Sequence, residues 1–462
     1  MIQFINVDYT VGAFALYNIS LSIKSGERVC VLGLNGSGKS TLLKLAAGLL
    51  KPTAGDVRIE GVSVHDEKDF HSRRADIGFI FQNPEDQLLT ASVAADLAFT
   101  LENLAFEPAE INARLSQFAK RFRLDQLLNR HPATLSAGEK QRLALAATFI
   151  SHPKILILDE PTSYLDESGR RLLADMIFAT RDWSILAATQ HPSEIQDFDR
   201  VIFLEDGAIV FDETAAAFSA SPIYRKIESS LSPTAKTLAP PASGAYALEI
   251  RNLTFSYPVS PPCLREINLA IPSRQITAIV GDSGSGKTTL ALLIAGLLKS
   301  TNGTFLIDGS TCSDDDRRTQ VGIVFQIPEA AIFAETVFDE IAFGLRNQGV
   351  PTDQLSQRVN AALNRIGLDP NNYLARNPFT LSAGEQRLVA IASILALDRQ
   401  IIIFDESTAG LDWIGTARIR ELLQSLKSRG RTVIIISHDR KFVLPVANQT
   451  IGLVNKRIQS LD

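Results

Sequence analysis

Two glycine-rich segments carry the first chemistry visible in this sequence. The residues Gly33, Asn35, Gly36, Ser37, Gly38, Lys39, Ser40 and Thr41 return 248 residues later as Gly281, Ser283, Gly284, Ser285, Gly286, Lys287, Thr288 and Thr289. Both segments fit G-x-x-x-x-G-K-[ST], and each follows a short apolar run and precedes a helical pattern, the context expected of a phosphate-binding loop. Glycines let the backbone curl until its N–H groups point at phosphate oxygens, and the following helix start adds a favourable dipole. Lys39 and Lys287 would reach the β- and γ-phosphates as point charges. Ser40 and Thr288 would offer hydroxyl ligands to Mg²⁺. A nucleoside triphosphate with magnesium is the expected ligand of both loops.

A second pair of signals stands at strand ends. Ile155 to Leu158 runs into Asp159 and Glu160, and Ile401 to Phe404 runs into Asp405 and Glu406. Ligands of open α/β sheets bind at the carboxyl ends of strands. Asp159 and Asp405 fit the carboxylate that holds the Mg²⁺ shell. Glu160 and Glu406 are placed to orient or deprotonate an attacking water.

These pairs belong to a duplication of the whole chain. Phe81-Gln-Asn-Pro-Glu85 returns as Phe325-Gln-Ile-Pro-Glu329, and Leu135-Ser-Ala-Gly-Glu139 returns as Leu381-Ser-Ala-Gly-Glu385, in the same order and with nearly constant spacing. A period this long excludes a solenoid and means two tandem domains. The expected boundaries are a first domain at 1–220, a linker at 221–247 and a second domain at 248–462. The linker reading rests on Pro222, Pro233, Pro240 and Pro241, which argue against a regular helix or inner strand there. Within the first copy, Arg28 to Leu32 reads as a buried strand, Ser40 to Leu50 as a helix, and Ile155 to Leu158 and Trp183 to Thr189 as further strands. Alternating strands and helices, with strands apolar on both faces, predict α/β domains around mainly parallel sheets.

Composition limits the alternatives. The 46 basic and 51 acidic residues leave a net charge of −5, without the basic excess of a dedicated nucleic-acid binder, so no nucleic-acid partner is expected. Cys30, Cys263 and Cys312 form no CxxC pair and no even framework, and read as reduced thiols. Met1 to Leu21 has no basic stretch ahead of an apolar run, so it does not read as a signal peptide. The apolar run Leu290 to Leu298 is about half of the roughly 20 residues that span a bilayer. The expectation is a soluble protein that serves any membrane process through a partner.

At these residues the chain resembles the ATP-binding-cassette ATPases over both halves. Leu135-Ser-Ala-Gly-Glu139 and Leu381-Ser-Ala-Gly-Glu385 are similar to that family's LSGGQ signature, with departures at Ala137, Ala383, Glu139 and Glu385 and with Leu388 where the first copy has Arg142. The resemblance implies an antiparallel β subdomain and a helical signature subdomain beside each parallel core. It implies that Gln82 and Gln326 sense Mg²⁺ and the γ-phosphate and that His191 and His438 contact that phosphate. Asp166 and Asp412 match the D-loop. Tyr257 matches the aromatic that stacks on adenine; its counterpart is Val11, for which Tyr9 or Phe14 would substitute. The resemblance further implies head-to-tail pairing of the two cassettes across two ATP molecules. One site would join Lys39, Glu160 and His191 to Ser382 and Gly384, the other Lys287, Glu406 and His438 to Ser136 and Gly138.

The segments after the two glutamines resemble the ATPases of energy-coupling-factor importers of vitamins, vitamin precursors or Co/Ni ions. That implies a place on the cytoplasmic face of the membrane, bound to a transmembrane scaffold subunit and a membrane substrate-binding subunit. In such proteins the helix carrying the counterparts of Asp96 and Glu340 meets arginines of the scaffold; a solvated helix start is the other reading of this acidic pair. Phe99 and Phe343 read either as apolar anchors or as core. A sugar-type importer with a double cassette is the alternative. A twin-cassette translation factor fits less well, because its long charged linker is missing from this sequence.

Neither copy has lost its strand-end glutamate or its histidine, so both sites are expected to turn over. Glu160→Gln and Glu406→Gln should each slow the altered site by about 100-fold or more, and each should lower steady-state ATP hydrolysis. Unchanged hydrolysis in Glu160→Gln, with complete loss in Glu406→Gln alone, would show a single working site.

Overall fold

A computed structural model describes residues 1–12, 14–162, 165, 167–178, 183–231, 245–258, 261–282, 284–300 and 302–460. Asp166 and Ser283 lie outside the described residues. The chain divides into two compact units, Met1–Leu231 and Ser232–Asp462.

The first unit is built on a six-stranded sheet in the order Ala208–Thr214, Arg200–Glu205, Arg28–Gly33, Ser184–Thr189, Ile155–Asp159, Ile77–Ile80. All neighbours are parallel except the edge pair Arg200–Glu205 and Ala208–Thr214. A second, antiparallel sheet of four strands is ordered Phe14–Ile23, Ile2–Val11, Ala54–Ile59, Val62–Ser63. Strand periodicity explains why the central strands had to be apolar throughout. Ile155 and Ile157 face a core shared with the antiparallel sheet and the helix Lys39–Ala46, while Leu156 and Leu158 face a core shared with the helices Val93–Asn103, Pro108–Arg121 and Ala137–Phe149.

The second unit repeats this plan. Its six-stranded sheet runs Val321–Val324, Ile401–Asp405, Thr432–Ser437, Ile276–Val280, Gln449–Val454, Arg457–Ser460, parallel up to the last pair. The antiparallel sheet is ordered Leu264–Pro272, Tyr246–Phe255, Thr304–Ile307, Ser310–Thr311. The helices Val337–Asn347, Thr352–Arg365 and Ala383–Ala396 cover the other face of the parallel sheet. This is the α/β plan expected, with its antiparallel and helical subdomains.

Two local expectations need correction. The segment 221–247 is not free of helix: Pro222–Leu231 is helical. Pro222 stands at the first helical position, where its missing N–H costs nothing and its fixed φ suits the turn. The Tyr224 N–H donates to Ser221 Oγ at 3.1 Å, capping the helix. Ile227 is buried and Tyr224 meets Phe218 edge-on at 5.9 Å, so the segment packs on the preceding helix, Ala215–Ala220. At its other end the strand Tyr246–Phe255 begins inside the expected linker. Residues 232–244 lie outside the described residues.

The second correction concerns the helix expected over 40–50, which stops at Ala46. Gly48 takes a left-handed φ of 67°, and Leu49 N–H turns back to Lys44 O at 2.9 Å, closing the end. A Cβ on Gly48 would fall 2.4 Å from the Phe70 ring. Gly48→Ala should therefore destabilise the first unit by about 1–3 kcal/mol, lowering the urea midpoint of its unfolding transition. An unchanged midpoint would mean that the Phe70 ring moves aside freely.

Candidate functional site

The first phosphate loop leaves the strand Arg28–Gly33 and returns into the helix Lys39–Ala46. Gly36 and Gly38 have φ of 81° and 107°, values that L-residues rarely adopt. A Cβ on Gly33 would lie 2.4 Å from Leu204 O, and one on Gly38 would lie 2.5 Å from the Leu16 side chain. Glycine is therefore required by close packing beneath the loop as well as by backbone conformation. Gly38 is the N-cap and offers no side-chain cap, so the first amides of the helix remain available to an anion. Ser37 Oγ is buried without a partner among the described residues, and so is its counterpart Ser285 Oγ. Lys39 Nζ donates to Gly33 O and Leu34 O at 3.0 Å each, and Lys287 Nζ to Gly281 O at 2.8 Å and Asp282 O at 2.9 Å. In both loops the ammonium lies across the cradle where phosphate oxygens would sit.

The strand-end carboxylates reach the same places. Ser40 Oγ donates to Asp159 Oδ1 at 3.0 Å, which joins the two expected Mg²⁺ ligands of the first site. Burial pushes the Asp159 carboxyl up, opposed by the Ser40 hydroxyl and the charges of Lys39 and Lys44. Burial raises Asp405 to about 6, with Glu406 adding to the rise and the Thr288 hydroxyl and Lys287 opposing it. Asp405 Oδ1 is buried without a hydrogen bond among the described residues. An orphaned carboxylate oxygen beside a hydroxyl suits a hard divalent cation, which takes oxygen ligands.

Glu160 and Glu406 share a φ of 48°, an unusual value for a non-glycine residue and of the kind that clusters at functional sites. Their amides stay bonded to the neighbouring strand, Glu160 N–H to Ala188 O at 3.1 Å and Glu406 N–H to Ile436 O at 2.8 Å. The two carboxylates have different companions. Glu160 Oε2 accepts from Gln82 Nε2 at 2.9 Å and from Gln190 Nε2 at 2.8 Å, and Glu160 Oε1 lies 3.8 Å from Lys39 Nζ. Glu406 Oε2 instead lies 2.9 Å from His438 Nδ1. Gln326 is exposed. His191 follows Gln190 directly and donates its backbone N–H to Thr189 Oγ1 at 3.0 Å.

The signature serines cap helices. Ser136 precedes Ala137–Phe149 and Ser382 precedes Ala383–Ala396, each in a capping box with the glutamate three residues on. Glu139 Oε2 accepts from Ser136 N and Oγ, both at 2.8 Å. Glu385 Oε2 accepts from Ser382 N at 2.9 Å and Oγ at 2.8 Å. The departures at Glu139 and Glu385 thus keep the cap closed. Gly384 faces open space.

Comparison with known proteins agrees with this geometry. The family model described as "ABC transporter" matches residues 16–163 and 264–409, more than half of the chain. The chain belongs to the ABC transporter ATPase family. A Bifidobacterium longum protein, provisionally named an ABC transporter ATP-binding protein, is 34% identical over 98% of this chain, which spans 65% of that protein's length. A protein of Methanosarcina mazei with the same provisional name is 30% identical over 98% of this chain and 87% of its own length. The solved structure of cbiO1 from Clostridium perfringens, part of the ABC transporter complex cbiONQ, is 32% identical, covering 47% of this chain and 88% of its own at a TM-score of 0.44. As an ABC ATPase the chain binds and hydrolyses ATP.

The remaining expected residues of this ABC ATPase fall out as follows. Tyr257 OH lies 3.1 Å from Thr289 Oγ1, at the end of the second phosphate loop. In the first unit Phe14 reaches Gly38, its Cζ 3.0 Å from where a Cβ would stand, whereas Tyr9 packs on the core and Val11 is exposed. Asp412 caps the helix Trp413–Ser428, accepting from Gly415 N–H at 2.8 Å.

Asp96 and Glu340 require a correction. Expected to face a partner's arginines, they are only 5% and 6% exposed. Asp96 Oδ1 accepts from the N–H groups of Leu89 at 3.0 Å and Thr90 at 3.1 Å; Glu340 Oε2 accepts from Phe333 at 3.1 Å and Ala334 at 2.9 Å. Each carboxylate fixes the loop ahead of its helix by satisfying buried amides. Phe99 and Phe343 are exposed, not core.

Two residues of the site gave no sequence signal that was recognised. Gln190 is buried and stands where the second copy has Ser437, too short to reach the glutamate. Arg387 is buried in the second signature helix and donates to Ala409 O at 2.6 Å, to Gln326 O at 3.3 Å and to Glu329 at 3.2 Å. It ties three separate segments together where the first copy has Gln141. The signal was available: both are polar residues inside otherwise apolar or helical patterns, at positions where the copies differ.

The Gln190 amide supplies one of two neutral donors to Glu160. Losing a hydrogen bond to a charged group costs about 1.5–3 kcal/mol, roughly tenfold or more in rate if the carboxylate acts in catalysis. Measured in a Glu406→Gln background, so that the first site dominates, Gln190→Ser should lower ATP turnover about tenfold. Unchanged turnover would remove Gln190 from the site's working parts.

Proposed function

We propose that this ABC ATPase energises a membrane importer of the energy-coupling-factor type, with two ATP molecules held between its cassettes. Each phosphate loop would grip the β- and γ-phosphates of one ATP through backbone amides and its lysine. Ser136 with Gly138, and Ser382 with Gly384, would close on the nucleotide bound by the opposite loop. Bound Mg²⁺ would neutralise phosphate charge, held by Ser40 with Asp159 and by Thr288 with Asp405, and within reach of Gln82 and Gln326. The buried oxygens described above, already near these positions, favour that fit. Glu160 and Glu406 would hold and polarise the attacking water, with His191 and His438 facing the γ-phosphate. Closing on ATP and reopening after hydrolysis biases one two-state element, the source of work.

The observation that carries the membrane reading is an apolar surface next to the second glutamine. Phe333 is 58% exposed and meets Phe343, 46% exposed, edge to face at 4.7 Å; Phe325 and Ile327 flank Gln326 and are exposed too. The loop bearing Phe333 is held rigid by buried Glu340. Leu89 and Phe99 occupy the matching places in the first unit and are exposed. Exposed aromatics fixed beside a γ-phosphate sensor favour a partner that reads the nucleotide state through apolar contact. The importer type rests on the likeness of these segments to energy-coupling-factor ATPases. The scaffold would engage the aromatics, while Asp96 and Glu340 support the surface from beneath.

Purification from mild detergent tests this. The wild-type chain should recover a transmembrane scaffold subunit and a small membrane binding subunit. Phe333→Ser with Phe343→Ser should lose them while keeping basal ATP hydrolysis. Recovery with ribosomes and no membrane subunit would overturn the proposal.

A further inference from the structure

Away from the nucleotide loops, the second cassette has a cavity of about 240 Å³ whose charged lining is Arg365, Arg399, Arg429, Arg431 and a single carboxylate, Asp398. It lies where the strands Ile401–Asp405 and Thr432–Ser437 begin, whereas the phosphate loop follows the end of the parallel strand Ile276–Val280. Five residues of strand put the two regions about 16 Å apart, so the cavity is separate from the ATP site.

The arginines are not neutralised by their surroundings. Asp398 Oδ1 lies 2.8 Å from Arg431 Nη2 and 3.7 Å from Arg365 Nη1, so one carboxylate serves two guanidiniums. Arg365 Nη1 also donates to Leu395 O at 3.2 Å. Arg399 donates to Thr319 O and, with the Gln348 side-chain amide oriented to satisfy both its atoms, to the Gln348 amide oxygen at 3.2 and 2.8 Å; its Nε is buried with no acceptor among the described residues. The Arg429 guanidinium has no ion pair or hydrogen bond among the described residues. Burial lowers Arg365 and Arg399 from the ordinary guanidinium value, and Arg429 and Arg431 push Arg365 further down against the pull of Asp398.

Arginines at helix ends are commonly explained by the helix dipole, and the helices Thr352–Arg365, Ala383–Ala396 and Trp413–Ser428 do end here. Three helix ends offset about half a charge each. Four guanidiniums against one carboxylate leave three positive charges, so roughly +1.5 remains uncompensated. Where Arg399 and Arg431 precede their strands, the first cassette has Pro153 and Trp183, and Trp183 stacks on Phe149 at 5.5 Å.

We propose that this arginine-lined cavity of the second cassette binds a dianionic phosphoryl group, taken up by Arg429 and Arg431 beside Arg399. Planar guanidiniums suit phosphate oxygens in paired hydrogen bonds. The cavity is smaller than the roughly 300 Å³ at which drug-sized ligand pockets begin, which fits a phosphate rather than a whole nucleotide.

Equilibrium dialysis of radiolabelled inorganic phosphate against the full chain tests the site. Mg-ADP is kept saturating, and the Lys39→Ala/Lys287→Ala double variant is run alongside to discount the nucleotide loops. About one phosphate per chain should bind in both proteins, and Arg429→Ala should weaken it at least tenfold with ADP affinity unchanged. Arg429→Lys should restore part of the binding, and circular dichroism checks folding. Flotation with phosphatidic-acid vesicles against phosphatidylcholine vesicles distinguishes the source. Arg429-dependent flotation with phosphatidic acid alone, without free-phosphate binding, would assign the phosphoryl group to a lipid headgroup. Phosphate binding that vanishes with the loop lysines, or neither ligand depending on Arg429, would overturn the proposal.

Discussion

Each cassette buries one ammonium and two carboxylates together at the end of a parallel sheet, and the rest of the architecture answers to that. Lys39, Asp159 and Glu160 are all under a tenth exposed, as are Lys287 and Asp405, with Glu406 at the same limit. Withdrawing such charges from water is costly unless they are paired and hydrogen-bonded. Strand order brings them together: Arg28–Gly33 and Ile155–Asp159 both flank Ser184–Thr189, so the loop after one and the carboxylates after the other share an edge. The lysines rest on backbone carbonyls of their own loops. An incoming phosphate would replace those weak acceptors with full negative charge.

The duplication conserved this skeleton and changed what surrounds it. Glu160 is held by two amides, Glu406 by an imidazole. The second signature helix is tied by Arg387 to the segments after Gln326 and Glu406, a charged tie that Gln141 does not reproduce. Two sites of one ancestry therefore have different local electrostatics, and equal chemistry at both does not require equal rates.

The acidic helix starts show how a pattern is misread when burial is unknown. A carboxylate in the first turn of a helix is favoured by the dipole, and an exposed one could also meet an arginine of another chain. Asp96 and Glu340 instead turn inward onto loop amides. The exposed elements are Leu89 and Phe333, whose amides they hold, and Phe343 against Phe333. The exposed surface there is apolar where the sequence pattern pointed to charge.

The sequence alone determined the two phosphate loops, the strand-end carboxylates, the duplication and the α/β class, because each rests on residues close together in the chain. Glycines at fixed spacing, a four-residue apolar run and a repeated order of motifs need no knowledge of the fold. Only tertiary structure decided which way Asp96 and Glu340 face, that Gln190 and Arg387 enter the site, that Pro222 starts a helix, and that four arginines from distant segments meet in one cavity. Those outcomes depend on which surfaces lose water when strands and helices pack, and burial is a property of the assembled fold.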